Sequence, residues 1–309
     1  SVFLGPMKRE YDEEFGAAVV ASAANIGPII PPSAAMIVYA IMAGSSVSIA
    51  GLFLAGMVPG ILIGVGMMAL SYVIARRRGY PISGERPRLR EVALRTWQAL
   101  PVLLMPVVVI GGMVGGVFTA TEAAAIAVVY AVVVGFFVTR ELKVAHLWPA
   151  LIRSAATTSI VVILIALASS VTFLLTVAQV PAAVAVFLQS ITSSPTVFLT
   201  LVMLFLILVG MFIESNAAYI MLVPILHPIA VQYGIDPLHF GFVFVLNLVI
   251  GMLTPPVGVV LFVVASLSGL TMERLVRGVW PFVVLQFGVL FLCVYLPGLY
   301  MWVPRLFGY

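Results

Sequence analysis

One short phrase occurs twice in this chain, each time inside a run long and apolar enough to be a membrane helix. Gly27-Pro28-Ile29-Ile30-Pro31-Pro32 and Gly251-Met252-Leu253-Thr254-Pro255-Pro256 share the spacing G-x-x-x-P-P, and a Phe-Gly pair precedes each at nearly the same distance, Phe15-Gly16 and Phe240-Gly241. Proline lacks an amide donor and its ring clashes with the preceding turn, so two in succession break a helix rather than bend it. In a bilayer such a break is tolerated only where the freed carbonyls line a protein cavity or hold something. Two helices broken at matching places in the two halves of a chain point to the central site of a secondary transporter.

Composition identifies the solvent. The chain is 63% hydrophobic and 8% charged, against about 25% charged in a soluble domain. That excess of apolar surface calls for a lipid bilayer. The net charge of +4 does not describe a nucleic-acid face, because the basic residues sit in short loops between apolar runs. The one cysteine, Cys293, excludes an internal disulfide. No H-E-x-x-H, G-x-S-x-G or G-x-x-x-x-G-K is present, so the chain reads as a non-enzyme driven by an ion gradient.

Apolar runs cover roughly 16–41, 50–75, 98–118, 121–139, 154–178, 238–268 and 280–303, each near the ~20 residues that a crossing needs. Two shorter stretches, 195–210 and 217–231, are joined by Met211-Phe212-Ile213-Glu214-Ser215-Asn216, which has no Lys or Arg. A re-entrant hairpin fits them better than two crossings, and 180–191 fits an interfacial arm. The basic loop at 76–95 sets one side as cytoplasmic. Alternating spans from there put every other Lys and Arg of the 15 on that side except Arg305, including Lys8, Arg9, Arg140, Lys143, Arg153, Arg274 and Arg277. Trp97, Trp148 and Trp280 each follow a basic loop, where interfacial indoles belong. The first broken helix then runs outward and the second inward.

The fold class expected is an all-α, multi-pass integral membrane protein with an inverted repeat, broken helices and a re-entrant hairpin. Its single polytopic domain divides into a first broken helix (1–45), scaffold helices with the basic loop (46–153), and a helix with the interfacial arm (154–194). The hairpin (195–231), the second broken helix (237–269) and a last span (280–303) follow.

No Lys or Arg lies near the middle of a span, so an anionic substrate must be met by helix N-termini and bound cations. Ser22, Asn25 and Ser33 flank the first break, Asn247 and Thr254 the second, and Glu214, Ser215 and Asn216 form the hairpin turn. Neutral oxygens and unwound carbonyls with few carboxylates suit sodium. The candidate ion ligands are Asn25, Gly27, Pro31, Ser33, Ser215, Asn216, Gly251, Thr254 and Pro255; the candidate substrate residues are Ser22, Glu214, Asn247 and Gly258. For Ser22, Ser33 and Asn247, bonding to a helix carbonyl or a neighbouring helix is as good a reading. Glu214 serves equally as a carboxylate at a hydrated mouth. Thr119-Ala120-Thr121-Glu122 has capping-box spacing, so Glu122 is assigned to a helix N-terminus. His227 and His239 are too isolated for metal ligands. No cofactor beyond sodium as coupling ion, and no other metal, is expected.

Asn25 through Ser33, following Met7-Lys8-Arg9-Glu10-Tyr11-Asp12, resembles the large membrane subunit of the tripartite ATP-independent periplasmic (TRAP) transporters, DctM-like. Gly116 through Ala124, and Gly241 through Gly258 with Asn247, Gly251 and Thr254-Pro255-Pro256, look like further motifs of that family. The resemblance covers essentially the whole chain. Relative to the family, the N-terminal scaffold helices and first re-entrant hairpin are missing, which places half of the first ion site outside this sequence. It implies sodium-driven uptake of a small organic acid (a C4-dicarboxylate, sialic acid, a 2-oxo acid or another carboxylate) by an elevator-type motion in a bacterial inner membrane. The partners it implies are a periplasmic substrate-binding protein and a small four-helix membrane subunit. A stand-alone ion-coupled dicarboxylate carrier, and a membrane scaffold or embedded hydrolase, are the competing readings.

Overall fold

The structure, a computed structural model, describes residues 11–80 and 89–309. Lys8, Arg9, Arg86 and Arg88, the central part of the basic loop and the start of the first family motif lie outside the described residues. Among those described, all regular structure is helical, with six helices long and apolar enough to cross a membrane. Packing divides the chain into two units, residues 1–81 with 168–309, and residues 82–167.

In the first unit, each G-x-x-x-P-P phrase separates two helices. α1 (Glu13–Ala24) and α2 (Ala34–Ala43) flank the first, and the chain then turns into α3 (Ile49–Arg77). Both Pro-Pro bonds are cis. A short helix α7 (Val180–Ile191) precedes the hairpin, whose arms are α8 (Pro195–Phe212) and α9 (Ser215–Gln232). α10 (Pro237–Gly251) and α11 (Val259–Ser268) flank the second break. α12 (Met272–Tyr295) and α13 (Gly298–Leu306) close the chain.

The last span differs from its expected limits of 280–303. Its helix begins at Met272 and stops at Tyr295, and Pro297 precedes a separate helix whose Tyr300, Met301 and Val303 are buried. Pro297 cannot donate to the turn before it, and α13 packs instead against α3. The hairpin arms are also longer than expected, 18 residues each.

The two broken helices run antiparallel, side by side. α1 packs against α11, and α2 against α10, so the halves pair first with last. α10 is the centre of the unit: every residue from Leu238 to Gly251 is buried, enclosed by α8, α9, α12, α3 and α2. An ion pair sits at the head of each broken helix. Asp12 at the start of α1 meets Arg78 at 3.1 Å and Asp236 at the start of α10 meets Arg305 at 3.7 Å. A hydrogen bond from Tyr80, reinforced by Arg78, holds the Asp12 carboxyl below its ordinary range.

The second unit holds α4 (Leu89–Val114), α5 (Ala120–Val133, continued by a π turn through Val138) and the start of α6 (Val144–Val177). Thr119 and Glu122 form the expected capping box, with Glu122 accepting from the Thr119 amide at 2.8 Å. The Tyr130 hydroxyl donates to the Pro101 carbonyl. Trp97 and Trp148 are exposed here, as is Trp280 in the first unit.

Candidate functional site

The first break is shaped by its missing amides. In a continuous helix the Gly27 and Pro28 carbonyls would accept from residues 31 and 32, both prolines without an N–H. The Pro28 carbonyl takes the Ser33 hydroxyl instead. The same Ser33 oxygen accepts from the Met36 amide at 3.3 Å and so caps α2. The Gly27 carbonyl thereby lacks its helical donor, and Pro31 follows in the turn.

Asn25, at the end of α1, is 2% exposed. Its amide donates to Gln286 Oε1 of α12 at 2.8 Å, and the Gln286 amide contacts the Met67 sulfur of α3. Gln286 is fully buried and was not foreseen from sequence. A lone amide in an apolar run was the available signal, but nothing in the run names its partner.

The second break and the hairpin turn lie against one another. Gly251 and Gly210 meet backbone to backbone, and a Cβ built on Gly251 would lie 2.7 Å from the Gly210 Cα. The Gly258 amide donates to the Met211 carbonyl at 3.3 Å. Gly258 has φ +52°, where a side chain would also crowd Leu261 and the Thr254 carbonyl. α10 from Pro237 to this contact is 15 residues, about 22 Å of helix. The hairpin turn therefore sits at the level of the break. Thr254 is buried and its hydroxyl donates to the Ile250 carbonyl at 2.9 Å, with Pro255 next in the turn.

Glu214 caps α9 by accepting from the Ala217 amide at 3.1 Å. Its other oxygen takes the Asn216 amide at 2.9 Å and the Ser215 hydroxyl at 3.3 Å. The carboxylate thus organises the hairpin turn through its own neighbours, Ser215, Asn216 and Ala217.

Of the other candidate residues, Asn247 uses its amide to tie α10 to the Met203 carbonyl of α8 at 2.9 Å. Its carbonyl oxygen and the Ser22 hydroxyl are the buried side-chain atoms without a hydrogen-bond partner among the described residues. The structure therefore brings Ser215, Asn216 and Glu214 to the side of Gly251, Thr254, Pro255 and Gly258. Asn25, Gly27, Pro31 and Ser33 belong to the separate first break. Three helix N-termini open at these places: α2 at Ser33, α11 at Gly258 and α9 at Ser215. Each presents amides and the positive end of its dipole.

The sequence profile of the family described as the tripartite ATP-independent periplasmic transporter, DctM component, matches residues 2–299. The chain is 38% identical to the isethionate TRAP transporter permease protein DctMQ of Oleidesulfovibrio alaskensis, over 96% of this chain and 46% of that protein. It is 36% identical to the C4-dicarboxylate TRAP transporter large permease protein DctM of Pseudomonas aeruginosa, over 98% of this chain and 70% of that one. Against the sialic acid TRAP transporter large permease protein SiaM of Vibrio cholerae the identity is 38%, over 97% and 70%. The chain thus spans from about half to about seven tenths of the length of these relatives.

Proposed function

This chain belongs to the DctM component family of tripartite ATP-independent periplasmic transporters, and we propose on that premise that it forms the ion-coupled core of a large membrane subunit importing a small organic acid. The protein is multi-pass in a bacterial inner membrane and is not an enzyme. The relatives' names give isethionate, C4-dicarboxylate and sialic acid as substrates, all acids. The substrate class carried over to this chain is therefore a small organic anion.

One observation carries the reading: two antiparallel broken helices, with a hairpin turn seated on the second break. Unwound backbone, neutral side-chain oxygens and helix N-termini at the two breaks support this reading. An acid can be met there by dipoles, with charge supplied by a bound cation. Sodium suits oxygen ligands of this kind. Asn216, Ser215, Thr254 and the backbone at Gly251 and Pro255 would hold one ion, and Asn25, Ser33 and the backbone at Gly27 and Pro31 part of another. Ser22, Glu214, Asn247 and Gly258 lie on the elements that would border the substrate. The hairpin enters from the outer side and returns to it, and it moves with the broken helices as an elevator. A periplasmic substrate-binding protein and a small four-helix membrane subunit complete the transporter; the relative named DctMQ supports the second partner.

The test is uptake of a labelled C4-dicarboxylate, sialic acid or isethionate into proteoliposomes holding the full-length protein and its small subunit. Accumulation is expected only with an inward sodium gradient and with the binding protein added. Uptake that persists when potassium replaces sodium would refute ion coupling. Uptake without the binding protein would favour a stand-alone carrier.

A further inference from the structure

We infer that Tyr39, His227 and Ser46 form a latch that fastens the returning arm of the hairpin to the second half of the first broken helix, with His227 as its positioning residue. It adds a joint to the function proposed above and uses none of the candidate ion ligands. His227, on α9, is 4% exposed. Its Nδ1 lies 2.8 Å from the hydroxyl of Tyr39 on α2, and its Nε2 lies 2.9 Å from Ser46 Oγ in the turn after α2. Both ring nitrogens are therefore engaged on the first repeat.

The protons can be placed. The Ser46 hydroxyl has one hydrogen, and it goes to the Ala43 carbonyl at 3.0 Å. Ser46 Oγ must then accept from His227, so Nε2 carries the ring proton. Nδ1 is left as an acceptor, and Tyr39 donates to it. Tyr39 is fully buried against Phe244 and the edge of the imidazole, and its ring also closes on Gly241 of α10, where a Cβ would lie 2.6 Å away. The latch thus joins α9 to α2 directly and braces both on α10. Either the first break or the hairpin turn can be displaced alone only by breaking it.

Closure requires the neutral imidazole. A second proton would place an N–H against the Tyr39 hydroxyl, which would have to turn its own hydrogen into apolar surroundings. Ser46 is exposed, so the chain of bonds reaches the surface after α2. Among the described residues, no carboxylate bonds or pairs with His227. Among the elements packed on α9, α2 carries only Tyr39 as a titratable side chain, and α7 and α8 carry none. On α10, Asp236 pairs with Arg305 and His239 bonds the Tyr300 hydroxyl. On α9 itself, Tyr219 donates to the Val245 carbonyl, Tyr233 to the Thr192 carbonyl, and Glu214 lies at the hairpin turn.

Two measurements on the purified full-length transporter test the latch: its thermal unfolding midpoint and its initial uptake rate, each between about pH 5 and 8, where imidazoles titrate. His227→Gln keeps one donor and one acceptor and cannot take the proton. Its midpoint near pH 8 should match that of the wild type, and its loss of midpoint on acidification should be at least about twofold smaller. Tyr39→Phe removes the donor to Nδ1 and should also flatten the acid limb, giving a second variant should the first fail to fold. His227→Phe combined with Tyr39→Phe should be no worse than either alone. An acid limb as steep in both His227→Gln and Tyr39→Phe as in the wild type would overturn the inference, as would additive losses in the double variant. The unfolding midpoint does not depend on what is transported or which ion drives it, so the latch and the proposed function can fail separately.

Discussion

At the residue scale, the site rests on buried polar groups with single partners. Asn25 is held by Gln286, and removing one member of such a pair leaves the other desolvated at a cost of about 1–3 kcal/mol. Gln286→Leu should therefore lower the unfolding midpoint of the assembled transporter. It should also weaken sodium dependence through the first break, read as the sodium concentration for half-maximal uptake. Unchanged midpoint and sodium dependence would remove Gln286 from the site. Gly251→Ala should be more severe, because its Cβ would press on the Gly210 backbone, which cannot swing away as a side chain can. Uptake should fall with protein abundance held equal, whereas Gly64→Ala, whose Cβ would meet open space, should be tolerated. Sequence alone brought out Asn25 and Gly251 because they lie just before and at the start of the two G-x-x-x-P-P phrases. Gln286, Tyr39 and His227 were not assigned, because hydrogen-bond partners far apart in the chain leave no local mark.

At the element scale, the breaks were the most legible features, since proline acts on its own turn whatever the tertiary surroundings. The same chemistry at Pro297 ends α12 early, although the apolar run continues through it. Hydropathy counts apolar residues, and α13 is apolar because it packs on α3. The hairpin turn and second break test the proposed ion site as a unit. Asn216→Ala and Thr254→Ala should each raise the sodium concentration for half-maximal uptake; one kcal/mol of lost binding is about fivefold. Normal sodium dependence in both would leave these side chains with only their bonds to Glu214 and Ile250. Ser33→Ala removes a helix cap and should cost about 1 kcal/mol of stability.

At the scale of the whole molecule, the account depends on two halves of opposite direction. Sequence supplied this through the distribution of Lys and Arg, and the pairing of α1 with α11 and α2 with α10 expresses it as packing. Grouping by packing was less visible in sequence: α3 clusters with the broken helices, although as an apolar run it resembles α4 and α5. The most direct measurement is sided labelling of one cysteine after each broken helix, Ser45→Cys and Thr271→Cys, both exposed positions. The native Cys293 is buried and should stay unlabelled. With a membrane-impermeant maleimide in right-side-out and inverted vesicles, Ser45→Cys should react only from the periplasmic side and Thr271→Cys only from the cytoplasmic side. Labelling of both from one side would mean that the two broken helices do not cross in opposite directions, and the inverted repeat at the centre of the account would be wrong.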